Sequence, residues 1–537
     1  MDKTFREYNL LVVSDLHLSE GRDANSKKFS KNEDFFFDEE FARFLAYFQD
    51  MRRWSGAKWH LIINGDFLDF LQVIKSVDTR LARPSESEHT ERGLPCGEEE
   101  TVRKLGTISH GHWLFFEALA GFVAAGNLVT IIKGNHDVEF HYPGVRASFL
   151  AELHAAFQRR IDRDPDWGKD KDIGNVGTDA IRFSDWFYFE PELLWIEHGN
   201  QYEGFNSFKY WLSPLLPQIP GWPPERKDEI DLPFGSLFVR YLFNKVERIE
   251  PFADNIKPAT RFVWWMVRKH PFTALSFVFS DGRYMLGRIR RAWAHIRTEK
   301  WDVRKQQHYT HLAELADESG IEPVTLARLD DLRARSILKE PNGWAKFLRL
   351  VLRPPIFFPV VVLAGAAVLV AVFFVAANLL ADMIPDFARE ILFDPFVHYL
   401  LPVAPWTVLL VALVASALFL RWLLTEEERR KPSYLKERAA RIAKSLGVQY
   451  VIMGHTHDAE LYGLGDDGGL KREYFNTGTW TTVFSEEERL IRKPVEFIFV
   501  QGERVGNGLR LKLLEWNDGA GEPRLLKLLR DEKDVER

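Results

Sequence analysis

The sequence predicts a layered α/β fold, and three observations carry that expectation. Short apolar runs at residues 9–13, 60–63, 128–132, 193–196 and 450–453 each read as a buried strand. Helical stretches at 38–54, 99–125 and 434–446 lie between them, an alternation that belongs to α/β layers. Each run also ends in a cluster of polar residues, and ligands of open α/β sheets bind beyond the carboxyl ends of strands.

The first run delivers Ser-Asp-Leu-His-Leu (14–18) and the second Asn-Gly-Asp-Phe-Leu-Asp-Phe (64–70). The third leads into Lys-Gly-Asn-His-Asp (133–137), the fourth into Glu-His-Gly-Asn (197–200) and the fifth into Gly-His-Thr-His (454–457). Residues 473–476, 495–501 and 509–515 read as closing strands, and 84–100 as an exposed acidic loop. The boundaries that follow are 1–204 for the first part of the α/β domain and 205–350 for an inserted helical, aromatic and basic region. A two-helix membrane hairpin takes 351–424, the second part of the α/β domain 425–523, and a charged tail 524–537.

The hairpin rests on residues 356–381, which hold 26 residues without a charge, and on 399–420, which hold 22. A helix of the first length spans about 39 Å at roughly 1.5 Å per residue, more than the ~30 Å hydrocarbon core. Lys339, Lys346, Arg349 and Arg353 precede the pair and Arg421, Arg429, Arg430 and Lys431 follow it. The link between them carries Asp382, Asp386, Glu390 and Asp394 against Arg389 alone. The basic flanks place both halves of the α/β domain in the cytosol. The expectation is a protein with two spans, in a bacterial inner membrane, whose partner is the lipid bilayer.

Composition narrows the chemistry. The chain of 537 residues is too long for one simple core and carries 42 Phe and 17 Trp. A net charge of -6 gives no global reason to bind nucleic acid, so none is expected as a partner. Cys96 is the sole cysteine, which excludes an internal disulfide and a thiolate zinc cage. The N-terminus is charged through Glu7 and does not read as a signal peptide. From 240 to 305 basic residues outnumber acidic ones. Trp264, Trp265, Phe272, Phe277 and Phe279 alternate there with arginines, a pairing suited to an anionic lipid interface or to a helical cap.

The strand-end residues are of metal-binding type. Asp15 and His17, two apart, point the same way. Asp66 follows a glycine, so backbone can approach closely, and its two carboxylate oxygens can bridge two ions. Asn135 adds an amide oxygen, and His198, His455 and His457 add imidazoles. An oxygen and nitrogen set without sulfur suits Mn, Fe, Zn, Co or Mg rather than a structural zinc. His110 and His112 sit in a helical stretch and read as structural, and His89 as solvated; Asn200, Gln201 and Tyr202 are either substrate contacts or loop residues.

The order SDLHL, NGDFLD, KGNHD, EHGN, MGHTH resembles the calcineurin-like metallophosphoesterase superfamily. The resemblance covers roughly 9–200 and 450–482. It implies two divalent metal ions, Mn foremost, one on Asp15, His17, Asp66 and His457, the other on Asp66, Asn135, His198 and His455. It further implies in-line hydrolysis of a phosphate ester, with His136 as general acid and Asp137 orienting it. Among relatives, the lipid phosphoesterases such as UDP-2,3-diacylglucosamine hydrolase are the nearest in function, although that family usually carries arginine where this chain has His136. The expected substrate is a lipid-linked phosphate ester at the cytosolic membrane face. The alternatives are a tethered phosphodiesterase for a soluble nucleotide-like substrate and a non-catalytic membrane scaffold.

Overall fold

The computed structural model describes residues 7–23, 26–50, 56–74, 94–177, 179–216, 229–240, 244, 269, 303–336, 433–467, 470–482, 495–506 and 508–526. The chain divides into two compact units. The first, formed by 1–256, 272–341 and 432–537, contains everything discussed below. Apart from Lys269, the second lies outside the described residues.

Two mixed sheets form the centre of this unit. In the first, β1 (Asn9–Val13), β2 (Trp59–Asn64), β3 (Leu128–Ile132) and β4 (Ile181–Ser184) run parallel. In the second, β5 (Phe187–Glu190) pairs antiparallel with β6 (Leu194–Glu197), which runs parallel to β7 (Tyr450–Met453). β7 in turn is parallel to β9 (Leu470–Thr477), and β8 (Ala459–Asp467) closes that sheet antiparallel. β10 (Ile498–Val505), β11 (Gly508–Asn517) and β12 (Glu522–Leu525) return to the first sheet beside β1, all antiparallel. The orders are β12-β11-β10-β1-β2-β3-β4 and β5-β6-β7-β9-β8.

The two sheets share one core. Leu10, Val12, Ile62 and Ile132 of the larger sheet pack with Leu194, Ile196, Tyr450, Ile452 and Phe475 of the smaller. Within β1, β6 and β7 these residues are two apart, as the strand period requires for one inward face. The outer face of the large sheet is covered by α1 (Asp38–Gln49). Its Phe41, Phe44 and Phe48 meet Trp480, Phe499 and Trp59 edge-on. Phe41 also stacks on Phe115 of α3 (Trp113–Ala124). Much of the high aromatic content is therefore ordinary core, where large rings contribute most area.

The five strands and three helical stretches fall where the sequence places them, with differences at the edges. α1 stops at Gln49 because Asp50 is extended, at φ -65° and ψ 91°. The stretch 99–125 is two helices, α2 (Glu98–Gly111) and α3, broken at His112. The break has a steric and an electrostatic cause. Gly111 lies so close to Glu20 and Gly21 that a Cβ there would overlap the Glu20 carbonyl. His112 is buried, with Nδ1 3.1 Å from Asp38 and Nε2 3.2 Å from Glu33. The expected exposed loop 84–100 gives way at its end to the buried Cys96 and to α2, whose first turn carries Glu98, Glu99 and Glu100 on the positive helix terminus. β4, β5, β8 and β12 are additional to the strands the sequence predicts; in β4 and β12 charged residues break the apolar run that marks the others.

The described part of the inserted region includes α4 (Val303–Ser319) and α5 (Pro323–Asp330). His308 of α4 accepts the Leu212 amide and pairs with Asp330 at 3.0 Å. Ala334 N donates to Gln201 O at 2.8 Å. This end of the insert is thus tied to the loop that follows β6. Its aromatic and basic residues from 241 to 302 lie, apart from Asn244 and Lys269, outside the described residues, as do both uncharged stretches and the tail from 527. Among the described residues no helix is long and apolar enough to cross a membrane.

The His112 cluster makes a stability prediction. Burial alone would depress this imidazole, but Asp38 and Glu33 outweigh it and hold it up at about 10, against an ordinary 6.5. A raised folded-state value means the contribution is complete below about 6.5 and lost as pH rises through about 10. Chemical denaturation of the full chain should show unfolding free energy falling across that window. His112→Gln should flatten this part of the profile. It should also cost about 3–5 kcal/mol at neutral pH, because two buried carboxylates lose their cation.

Candidate metal centre

The loops beyond β1, β2, β3, β6 and β7 meet at one edge, each tied to its neighbour by backbone. Asp15 N donates to Gly65 O at 3.1 Å, His17 N to Asp66 O at 2.9 Å and Gly454 N to His198 O at 3.0 Å. The chain turns abruptly at each point. Among the described residues seven non-glycine residues have positive φ, and five of them are Asp15 (53°), His17 (50°), Asp66 (47°), His455 (73°) and His457 (63°). A left-handed non-glycine backbone costs about 1–3 kcal/mol and persists only where its surroundings enforce it. Such strain gathers at binding and catalytic sites.

The glycines of the motifs permit the crowding. A Cβ at Gly65, itself at φ 79°, would overlap the His198 ring; one at Gly134 would overlap Asp66; one at Gly454 would lie 2.6 Å from Asp15 Oδ2. The end of β9 supports the arrangement. Asn476 Nδ2 donates to Gly454 O at 3.0 Å, Thr479 Oγ1 donates to Asp15 O at 2.7 Å, and Ser14 Oγ joins Asp15 to Thr477.

Three groups of side chains result among the described residues, each with its ligand atoms within 4.8 Å of one another, and His17, Asp69 and His136 form one. Of the other two, the first is Asp15, His17 and His457. His457 Nε2 lies 3.3 Å from Asp15 Oδ1 and 3.2 Å from His17 Nε2. The second is Asp66, His198 and His455. His198 Nε2 lies 3.1 Å from Asp66 Oδ2, while its Nδ1 is committed to Asn64 O at 2.9 Å. Asp66 links the groups, because the same Oδ2 is 3.9 Å from His17 Nε2. The sequence suggests a bridge through both carboxylate oxygens. In the structure Oδ1 instead accepts the His136 amide at 2.8 Å, which leaves Oδ2 facing both groups.

The buried His/Asp groups fit a metal ion. Asn135 Oδ1 is buried without a hydrogen-bond partner, and Asp15 Oδ1 and His198 Nε2 are buried with only an ion-pair contact, to His457 and Asp66, and no well-aligned hydrogen bond. Buried polar atoms are otherwise almost always bonded, and here all three are of ligand type. Asn135 is held between Gly134, which abuts Asp66, and His136, whose amide bonds Asp66. Charge is consistent with this. Burial would raise the carboxyls of Asp15 and Asp66, but the neighbouring histidines outweigh it, led by His457 and His198 for Asp15 and by His198 for Asp66, and hold both well below the usual range. Burial likewise lowers His198, yet Asp66 lifts it to about 9.

His136 stands at the rim with its side chain 15% exposed. Its expected partner, Asp137, is engaged elsewhere: it accepts Phe67 N at 2.7 Å and Gly134 N at 2.5 Å, tying the second and third loops together. The residue that holds His136 is Asp69, whose Oδ2 is 2.6 Å from His136 Nδ1 and 3.3 Å from His17 Nδ1. Sequence reasoning missed it, although it is the second aspartate of NGDFLDF. Burial would raise Asp69, but His136 and His17 hold it low, so the carboxylate stays charged. Sequence reasoning also missed Glu203, whose Oε2 is 2.7 Å from His455 Nε2; nothing in its local sequence marks it.

The remaining candidates have structural partners. His110 bonds Gly106 O within its helix, and His112 serves the cluster described above. Asn200 Nδ2 donates to Asn206 O, and Tyr202 Oη to Glu197. Gln201 Oε1 accepts from Ser207, while its Nε2 is buried without a partner. His89 lies outside the described residues. No family model matches the chain, and no curated protein or solved structure matches it either.

Metal binding to these groups should stabilise the fold. Mn at one hundred times its dissociation constant adds about 2.7 kcal/mol, which a thermal melt of the full chain detects as a rise in Tm. Asp66→Ala should abolish the rise, since both groups lose their shared oxygen. A variant that keeps the full shift would show that Asp66 is no ligand.

Proposed function

We propose that this chain is a metal-dependent phosphoesterase of the calcineurin-like type. The observation that carries the reading is the convergence of five strand-end motifs on one buried oxygen and nitrogen cluster, with the strained residues of the chain concentrated there. Asp15, His17, Asp66 and His457 would hold one ion, and Asp66, Asn135, His198 and His455 the other. Mn is the first choice, with Fe, Zn, Co and Mg compatible with the same donors. When bound, the ions would neutralise phosphate oxygens and activate the attacking water.

The remaining chemistry belongs to side chains. His136 shares a group with His17 and Asp69 and stands partly exposed beside the other two, where we assign it to proton transfer rather than to a metal. Its Nδ1 is engaged by Asp69, so Nε2 is the nitrogen that can give a proton to the leaving oxygen. The Asp69 carboxylate holds the ring in place through Nδ1. It also fixes His17 through Nδ1, so one residue sets both a ligand and the proton donor.

The substrate proposal is a lipid-linked phosphate ester at the cytosolic membrane face. It rests on the two uncharged stretches, their basic flanks and the basic, aromatic insert. Each acyl methylene buried beside the site would add about 0.8 kcal/mol, so affinity should climb with chain length. Turnover of a soluble nucleotide as well as any lipid would reduce the hairpin to a tether.

His136→Ala tests the chemistry. With an aryl phosphodiester and Mn, kcat should fall by roughly 10²–10⁴-fold, while metal content stays that of the wild type. The loss should shrink as the leaving group improves, since a stable phenolate needs no proton. Equal losses for good and poor leaving groups would remove His136 from the acid role, and turnover persisting after chelation would remove the metals.

A further inference from the structure

The geometry points to Glu203 as a positioning residue that holds the His455 ring from one side so that its other nitrogen meets the ion. This rests on the metal-centre reading above. Glu203 Oε2 lies 2.7 Å from His455 Nε2, a contact between residues 252 apart in sequence. It joins the loop after β6 to the loop after β7, across the whole inserted region.

The carboxylate is held in place independently of His455. Asn206 Nδ2 donates to the same Oε2 at 2.9 Å. The amides of Asn206 and Ser207 donate to Glu203 O at 3.0 and 2.8 Å, and Glu203 N donates to Asn200 O at 3.2 Å. Asn206 is packed in turn against Gly235, where any Cβ would overlap its amide oxygen. His455 itself has two handles. Its amide is fixed by Asp15 Oδ2 at 3.0 Å, at a backbone φ of 73°, and its ring by Glu203.

A neutral imidazole that donates one N–H keeps its lone pair on the other nitrogen, and a carboxylate acceptor makes that lone pair more basic. The same device recurs in this centre with the opposite sense. His198 commits Nδ1 to Asn64 O and His17 commits Nδ1 to Asp69, which frees Nε2 in both. In His455 the committed nitrogen is Nε2, so the nitrogen left for the ion is Nδ1.

The test is Mn titration of the full chain by calorimetry, with thermal melts in chelator as the folding control. Wild type should take up two ions. Glu203→Ala should weaken one of them by about 10–100-fold, the usual effect of removing such a partner, and leave the other unchanged. Glu203→Gln, which can still accept but carries no charge, should fall between. Melting in chelator should be the same for all three. On a His455→Ala background, Glu203→Ala should cause no further loss, because its effect passes through that ring.

Unchanged affinity, equal weakening of both ions, or a further loss on top of His455→Ala would overturn the proposal. If Glu203→Ala does not fold, the isosteric Glu203→Gln is read against the same cycle. Wild type binding fewer than two ions would overturn the dinuclear reading itself, and this inference with it. Two tight ions together with an inert Glu203 would overturn the inference alone.

Discussion

Everything at this sheet edge depends on bringing buried carboxylates and imidazole lone pairs into one small volume. Asp15 and Asp66 are both buried and repel each other, and the ring nitrogens of His17 and His457 face each other at 3.2 Å. Taking such groups out of water is costly unless a cation compensates them. Without one, Asp66 lifts the buried His198 imidazole to about 9 and so favours its charged form. A divalent ion between Asp15, His17 and His457 would supply positive charge more directly and would satisfy Asp15 Oδ1, which makes no hydrogen bond.

The rest of the architecture serves that concentration. Parallel strands bring β1, β2 and β3 to a common carboxyl edge in one sheet, and β6 and β7 do the same in the other. The sandwich core fixes the two edges against each other through Leu10, Ile62, Ile196 and Ile452. Glycines at 65, 134 and 454 remove the atoms that would keep the loops apart. Around the candidate ligands lies a set of holding contacts: Asn64 for His198, Asp69 for His17 and His136, and Asp137 for the loop backbone. Rigid partners of this kind are what let a strained backbone persist.

Much of this was legible in the sequence because the signals are local. A buried strand that ends in ligand-type residues announces its own geometry, and all five such units lie where the motifs put them. The central place of Asp66 was legible too, though not that a single oxygen faces both groups, since Oδ1 is taken by an amide 70 residues away. What escaped was set by long-range packing. The break at His112 depends on Gly21, Glu33 and Asp38, far upstream. The exchange of Asp137 for Asp69 beside His136 depends on how two loops meet, and Glu203 is invisible without the fold.

The central claim is that two ions share Asp66. Electron paramagnetic resonance of the full chain loaded with two equivalents of Mn addresses it directly. Two ions joined through one carboxylate oxygen are magnetically coupled. The account predicts an exchange-broadened spectrum in wild type that reverts to the isolated six-line signal in Asp66→Ala. An isolated signal from wild type at two equivalents, or a coupled one that survives loss of Asp66, would contradict it.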